Sequence, residues 1–464
     1  MAHIQTLPPE ILGRILALAA APTDPKVLIS DPSSSVPSRT TLLNLCPVSG
    51  YFRNLAQPLL FRDFVLQVDA RRIDAFGGCK LVEFTATIYR YPHLSNHVRS
   101  IIFRPFASNL FDANWPLERH SVANNLLLHQ MIDGIGADWN LDNTSQSDYP
   151  KIAALLAYGC PHLQQLALPM GGVWREPFLT LLDRDPSFLS GLRAFCVETE
   201  EMEYGECYNI LPYYKFLSLP NLSYARFTKG FLINSSFPAA CPAELPALNE
   251  LHFRLCKLDR GALDRIMKAC KGLKSFTYNK FSLVPFAHGL ERHRLRRSKK
   301  FHATHAVTLA NDLHRETLEH LDLQFPPQDI VNALETGTSF RLYHRAFADF
   351  SRLRSITIQQ AFLPAEITFP PSLESFHITC CKSSVESYVV GASEGSKRGM
   401  LPNMKLFKVS ALDVDRLVSD PAIRGIGAVV LFFRQIFEGT HVVFRMDQHP
   451  SKSWDTPSNT AFLK

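Results

Sequence analysis

Residues 318–323 read Leu-Glu-His-Leu-Asp-Leu, and the spacing of their three leucines decides how most of this chain is read. Leu321 and Leu323 are two apart, so on an extended strand both point to one side while Asp322 points to the other. The same spacing, with aromatic, Ile, Val, Met or Ala replacing Leu, occurs at Val98/Ile101/Phe103, Leu163/Leu166/Leu168, Leu192/Phe195/Val197, Leu222/Ala225/Phe227 and Leu248/Leu251/Phe253. It continues at Leu273/Phe276/Tyr278, Leu353/Ile356/Ile358, Leu373/Phe376/Ile378 and Met404/Phe407/Val409. First positions are separated by 65, 29, 30, 26, 25, 45, 35, 20 and 31 residues, mostly close to the period of a unit built from one strand and one returning segment. Stacked units of this kind give a parallel sheet with a continuous apolar interior, an irregular α/β solenoid.

Segments between the strands carry helical spacing, as at Arg260–Cys270, with Leu263, Ile266, Met267 and Cys270, and at Lys151–Tyr158. Two stretches without the triplet, about 105–150 and 282–312, are expected to be insertions, and 446–464 is a polar tail. The expected organisation is a small helical module over 1–65, a solenoid over 66–445, and that tail.

Composition agrees with a globular chain of 464 residues: 46 % are hydrophobic, 20 % are charged and the net charge is +6. The longest apolar runs, such as Ala428–Phe433, fall far short of the ~20 residues that cross a bilayer. No cationic n-region precedes the N-terminal apolar stretch, which Glu10 and Arg14 interrupt, so neither a membrane span nor a signal peptide is expected. The ten cysteines form no CxxC pair and read as buried hydrophobes. No GxSxG, HExxH or GxGxxG occurs, and GASEGSK at 391–397 lacks phosphate-loop spacing and reads as a flexible connection. The chain is therefore expected to be non-catalytic, without cofactor or metal; His288, His293, His302 and His305 match no zinc signature.

At the N-terminus, Leu7-Pro8-Pro9-Glu10 opens a helix carrying Ile11, Leu12, Ile15, Leu16 and Leu18. A proline- and serine-rich loop spans 21–41, and helical spacing resumes through Leu42, Leu45, Val48, Phe52, Leu55, Leu59 and Leu60. Leu7-Pro8 with Glu10-Ile11, then Val48-Ser49, Phe52-Arg53, Leu55-Ala56, Pro58-Leu59 and Phe61-Arg62, resembles the F-box of many fungal proteins, an "LPxEI" opening followed by "VS..FR.LA.P.LFR". The resemblance covers about 60 of the 464 residues. It implies docking on a Skp-family adaptor and, through it, a cullin, with Leu7, Pro8, Ile11, Ile15, Val48 and Phe52 making the contact or holding the helices that make it. Tyr158–Leu163 and Lys268–Leu273 likewise resemble the opening of the cysteine-containing leucine-rich repeat, and Cys256 and Cys381 fall three residues after a last apolar position.

Outward strand positions are where a solenoid binds, which singles out Tyr224, Arg226, Glu250, His252, Arg254, Asn279, His320, Asp322, Gln324, Gln359 and His377. Their mixed charge suits a protein target better than a polyanion. The expected function is the substrate-recognition subunit of an adaptor–cullin ubiquitin ligase in the cytoplasm or nucleus. The alternatives are a repeat scaffold unlinked to ubiquitin and, behind it, a nucleic-acid binder using the basic segment 291–300, whose six cations lack stacking aromatics.

Overall fold

A computed structural model of the chain describes residues 8–19, 36–66, 76–103, 122–139, 148–169, 172–198, 207–233, 244–280, 303–326 and 341–448. It is α/β, with 14 strands among the described residues and parallel pairing along the sheet. The chain divides into two compact units, 1–228 and 229–464.

The first unit opens with helices Pro9–Ala19, Val36–Leu45 and Gly50–Arg62. Strands β1 (Asp63–Leu66), β2 (Ser100–Phe103), β3 (Gln165–Pro169), β4 (Ala194–Glu198), the short β5 (Tyr208–Asn209) and β6 (Tyr224–Thr228) follow, with helices returning the chain between most of them. The strand order is β1-β2-β3-β4-β6. Asp63, Ser100, Gln165, Ala194 and Tyr224 lie side by side at the start of these strands. The expected module boundary at 65 falls inside β1, because Asp63 leaves the helix directly into the ladder.

The second unit contains β7 (Gly230–Leu232), β8 (Glu250–Leu258), β9 (Ser275–Lys280), β10 (His320–Gln324), β11 (Ser355–Gln359), β12 (Ser375–Cys381), β13 (Leu406–Ala411) and β14 (Val443–Gln448). From β8 to β14 the strands pair in chain order, and neither unit's run closes on itself.

The last two members of all ten apolar triplets lie on strands, and none of the triplet side chains is more than 2 % exposed. Each first apolar residue sits two residues ahead of or at the edge of its strand, and the next two point inward. Burying a Leu or Phe side chain is worth roughly 1.5–3 kcal/mol, so this interior stabilises every layer. Between layers the rings meet directly: Phe376 and Phe407 lie 5.5 Å apart edge to face, and Phe195 stacks on Phe216 at 4.4 Å. At the start of the strands one carbonyl accepts two successive N–H groups of the next layer. Glu319 O takes Arg354 N at 2.8 Å and Ser355 N at 3.0 Å, as Arg99 O takes those of Gln164 and Gln165. The recurrence of this bond is the backbone signature of a stacked unit.

Cys256 and Cys381 occupy equivalent places. Each follows a residue with left-handed backbone, Leu255 at φ 52° and Cys380 at φ 54°, and each lies where the strand register shifts. A residue in that conformation marks a β-bulge, and the bulge turns the next thiol inward. Cys256 Sγ there accepts the Gly230 N–H at 3.3 Å and donates to the Arg254 carbonyl at 3.2 Å.

One expectation is revised. GASEGSK is not a flexible connection but the C-terminal half of helix Glu386–Lys397, where Gly395 lies so close to Leu401 that a Cβ would sit 3.0 Å from it. The expected insertions contain helices, Val122–Ile135 in the first and Ala303–His314 in the second; the latter is tied to helix Arg260–Ala269 by His314 Nε2 to the Met267 carbonyl at 2.9 Å. The terminal strands β1 and β14 had no assigned triplet, and β14 runs through Gln448, past the expected start of the tail. The acidic residues 199–206, the basic segment 291–300 and residues 449–464 lie outside the described residues.

Candidate functional site

Two surfaces carry the expected contacts. On the N-terminal helices, Leu16, Leu42 and Ala56 form a small core with Leu45, Leu55, Leu59 and Leu60 packed against it. Ser49 caps the helix Gly50–Arg62, its hydroxyl accepting the Phe52 N–H at 3.2 Å. Phe52 is buried and therefore holds the helices together rather than meeting a partner. Ile11 and Ile15, one turn apart, are each 44 % exposed, while Leu12 and Leu16 beside them are buried. Val48 is 60 % exposed and Pro8 is exposed; Leu7 lies outside the described residues.

The outward strand positions of the first unit differ from expectation. Ile102, Ala167, Ala194, Cys196 and Tyr224 form a buried apolar cluster, with Val65 packed against it. Tyr224 is part of this cluster, and Arg226, 7 % exposed, is engaged by Glu198, with Nε 2.8 Å from Oε1. Alternation gives the direction of a side chain and not whether that face is covered, so these two residues do not belong to an open binding surface.

In the second unit the same face is polar. His252 Nδ1 lies 2.9 Å from Thr277 Oγ1, and its Nε2 lies 3.7 Å from Glu250. Arg254 and His320 are exposed, and Glu250, Asn279, Asp322, Gln324 and His377 are half-buried. His377 Nε2 meets Ser410 Oγ at 2.8 Å. Burial pushes the Asp322 carboxyl up to about 6, against the opposing pull of the Gln324 amide, 3.1 Å from its Oδ1, and of the Arg254 charge. Gln359 departs from expectation. It is buried, its carbonyl takes the Phe325 N–H at 2.9 Å and its amide returns to the Phe325 carbonyl, so it ties down the chain leaving β10.

Register extends this face to residues the outward count omitted: Thr357, Lys408 and Arg445 lie in the row of Asp322 and His377, and Lys408 pairs with Asp447 at 2.5 Å. Lys408 was available to the same rule, lying between Phe407 and Val409; Arg445 belongs to a strand without a recognised triplet. Beside this face, where β10 to β13 begin, Glu319, Ser351, Arg352, Arg354, Ser372, Glu374 and Asn403 line an open cleft of about 310 Å³. Glu374 there is held by Lys405 at 2.7 Å and lies 3.8 Å from Arg354.

No protein-family model matches this chain, and no curated protein matches it.

The second unit's row presents imidazoles, hydroxyls, one carboxyl of raised pKa and, toward β14, cations, spaced one strand apart. His305 and Asp264, 2.7 Å apart, link two helices and are joined by no nucleophile in the bonds described. Among the described residues no cluster of His, Cys, Asp and Glu could hold a metal ion, and no helix is long and apolar enough to cross a membrane.

Proposed function

We propose that this chain is the substrate-recognition subunit of an adaptor–cullin ubiquitin ligase acting in the cytoplasm or nucleus. Its N-terminal helices dock on a Skp-family adaptor, and the polar strand face of the second unit receives a target protein. The observation that carries the reading is the exposed pair Ile11 and Ile15, together with exposed Val48, in a helical module whose core is already closed by Leu16, Leu42 and Ala56. Apolar side chains left outside a completed core are available to a partner. The sequence in which they stand, from Leu7 to Arg62, is the part that resembles an F-box.

The mechanism is proximity. A subunit that holds a target near a charged conjugating enzyme raises the target's effective concentration there, and the bond-making residues belong to the partner. The second unit's row is suited to the target because it mixes histidines, hydroxyls, one carboxyl and cations, which favours a specific protein surface over a uniform polyanion.

Co-expression with a Skp-family adaptor followed by size-exclusion chromatography tests the anchor. The wild type is expected to co-elute stoichiometrically, and Ile11→Glu/Ile15→Glu to lose the complex while keeping its circular dichroism spectrum. A folded wild type that never co-elutes would leave a repeat scaffold unlinked to ubiquitin.

A further inference from the structure

We propose that strand β14 is a self-association edge, pairing antiparallel across a two-fold axis with β14 of a second copy of this chain. Among the described residues β14 is laddered to β13 alone, so one row of its N–H and C=O groups has no strand beside it. Parallel sheets normally have covered edges, and repeat arrays normally end in a polar cap. The two terminal strands treat this need differently. In β1 the residues Asp63, Phe64 and Leu66 are buried. In β14 Val443, Arg445 and Asp447 are exposed, and the helix Gly425–Ile436 that packs against it leaves Ile426 and Leu431 exposed, Leu431 at 61 %.

What selects a second copy is charge register. A two-fold axis perpendicular to the sheet keeps the same face of both copies on one side, so residues that face each other must both be odd-numbered or both be even-numbered. With the axis at Met446, Arg445 faces Asp447 of the second copy, and symmetry makes that contact twice. With the axis at Arg445 two guanidinium groups would oppose each other, and with the axis at Asp447 two carboxylates would. The strand therefore carries charges that favour one isologous pairing and reject its neighbours, where a strand built only to stay soluble would carry one sign. Within each copy Lys408 lies beside Arg445 and is paired to Asp447, so exchanging the two β14 charges keeps a carboxylate next to Lys408.

The full-length chain is tested by light scattering across a dilution series, alone and as charge variants. The expected mass is twice 52.3 kDa at high concentration, falling toward one chain on dilution. Arg445→Asp places like charges opposite one another and is expected to raise the dimer dissociation constant about tenfold or more. Arg445→Asp/Asp447→Arg is expected to restore it, and Met446→Pro to abolish pairing by removing an edge N–H. A wild type that stays monomeric at every concentration leaves the edge to a different partner and overturns the proposal. So does a dimer indifferent to Arg445→Asp and Met446→Pro, or a folded charge-swap variant that remains monomeric.

Discussion

In the first unit the outward row runs Val65, Ile102, Ala167, Cys196, Arg226; in the second, the equivalent row runs His252, Thr277, Asp322, Thr357, His377, Lys408, Arg445. Both rows stand on parallel strands held by the same interior spacing and the same two-to-one carbonyl bonds at the strand starts. From Val65 to Cys196 the first is apolar and mostly buried, with Arg226 at its end buried against Glu198; the second is polar and half-buried to exposed. The comparison teaches that the apolar triplet specifies a stacked unit, and that, Arg226 with its buried Glu198 partner apart, the residue between its last two members tracks what that unit's face meets. Where that residue is Ile, Ala or Cys the face belongs to the core; where it is His, Asp, Thr or Lys it is left for water or a partner.

The strongest way to break the comparison is to place a charge in each row. Ile102→Asp buries an unpaired carboxylate and is expected to destabilise the protein by about 4 kcal/mol or more, while Thr357→Lys in the other row, half-buried and opposite Asp322, costs less than about 1 kcal/mol. Urea titration of the two variants reads the difference, and equal losses would dissolve the distinction. Removing one partner of an ion pair comes next. Arg226→Ala strands Glu198 in a mostly buried place and is expected to cost on the order of 2–3 kcal/mol, whereas Lys408→Ala, whose partner Asp447 is exposed, costs under about 1 kcal/mol.

Asp322 sharpens the contrast through pH. Its carboxyl titrates near 6 in the folded chain, above its unfolded value of about 4, so the folded state holds the proton more tightly between those values. Stability is therefore lost as pH rises from about 4 to about 6, and the full penalty remains at pH 7. Asp322→Asn is expected to gain on the order of 2 kcal/mol at pH 7, with the gain vanishing near pH 4. Thermal melts of both proteins across that range measure it; a pH-independent difference would mean the carboxyl has its ordinary affinity. The smallest expected effect on stability belongs to Ile11→Glu/Ile15→Glu, within about 0.5 kcal/mol because both side chains are already exposed. A large loss would place that helix face inside the core and remove the basis for adaptor docking.

The interior of the parallel sheet was legible because the triplet is a packing rule, and packing rules repeat. Its two ends were not, for separate reasons. Phe61, Phe64 and Leu66 have the spacing, but they run on from a helical pattern that claims Phe61. In β14 His441 stands where the first apolar residue belongs, and only Phe444 and Met446 remain to mark the strand. The glycines at 391 and 395 read as a loop, yet lie in a helix where a Cβ at Gly395 would sit 3.0 Å from Leu401, so that the leucine must give way to any larger residue there. At the candidate surfaces, spacing gave the direction of every outward residue. It did not give the fate of Tyr224, Arg226 and Gln359, because those fates rest on a partner from another strand or loop: the apolar row, Glu198 and the Phe325 backbone.

The buried thiols have a practical consequence. Cys160, Cys196, Cys256, Cys270 and Cys381 lie in or just before five different strands of the sheet and none is accessible. Burial pushes Cys160 and Cys270 up to about 12, so at neutral pH these sulfurs are protonated and slow as nucleophiles. Alkylation of each requires its own layer to open first. The labelling rate of each cysteine, followed by peptide mass, is thus an internal clock for the transient opening of one layer, and five such clocks would time the breathing of the array strand by strand.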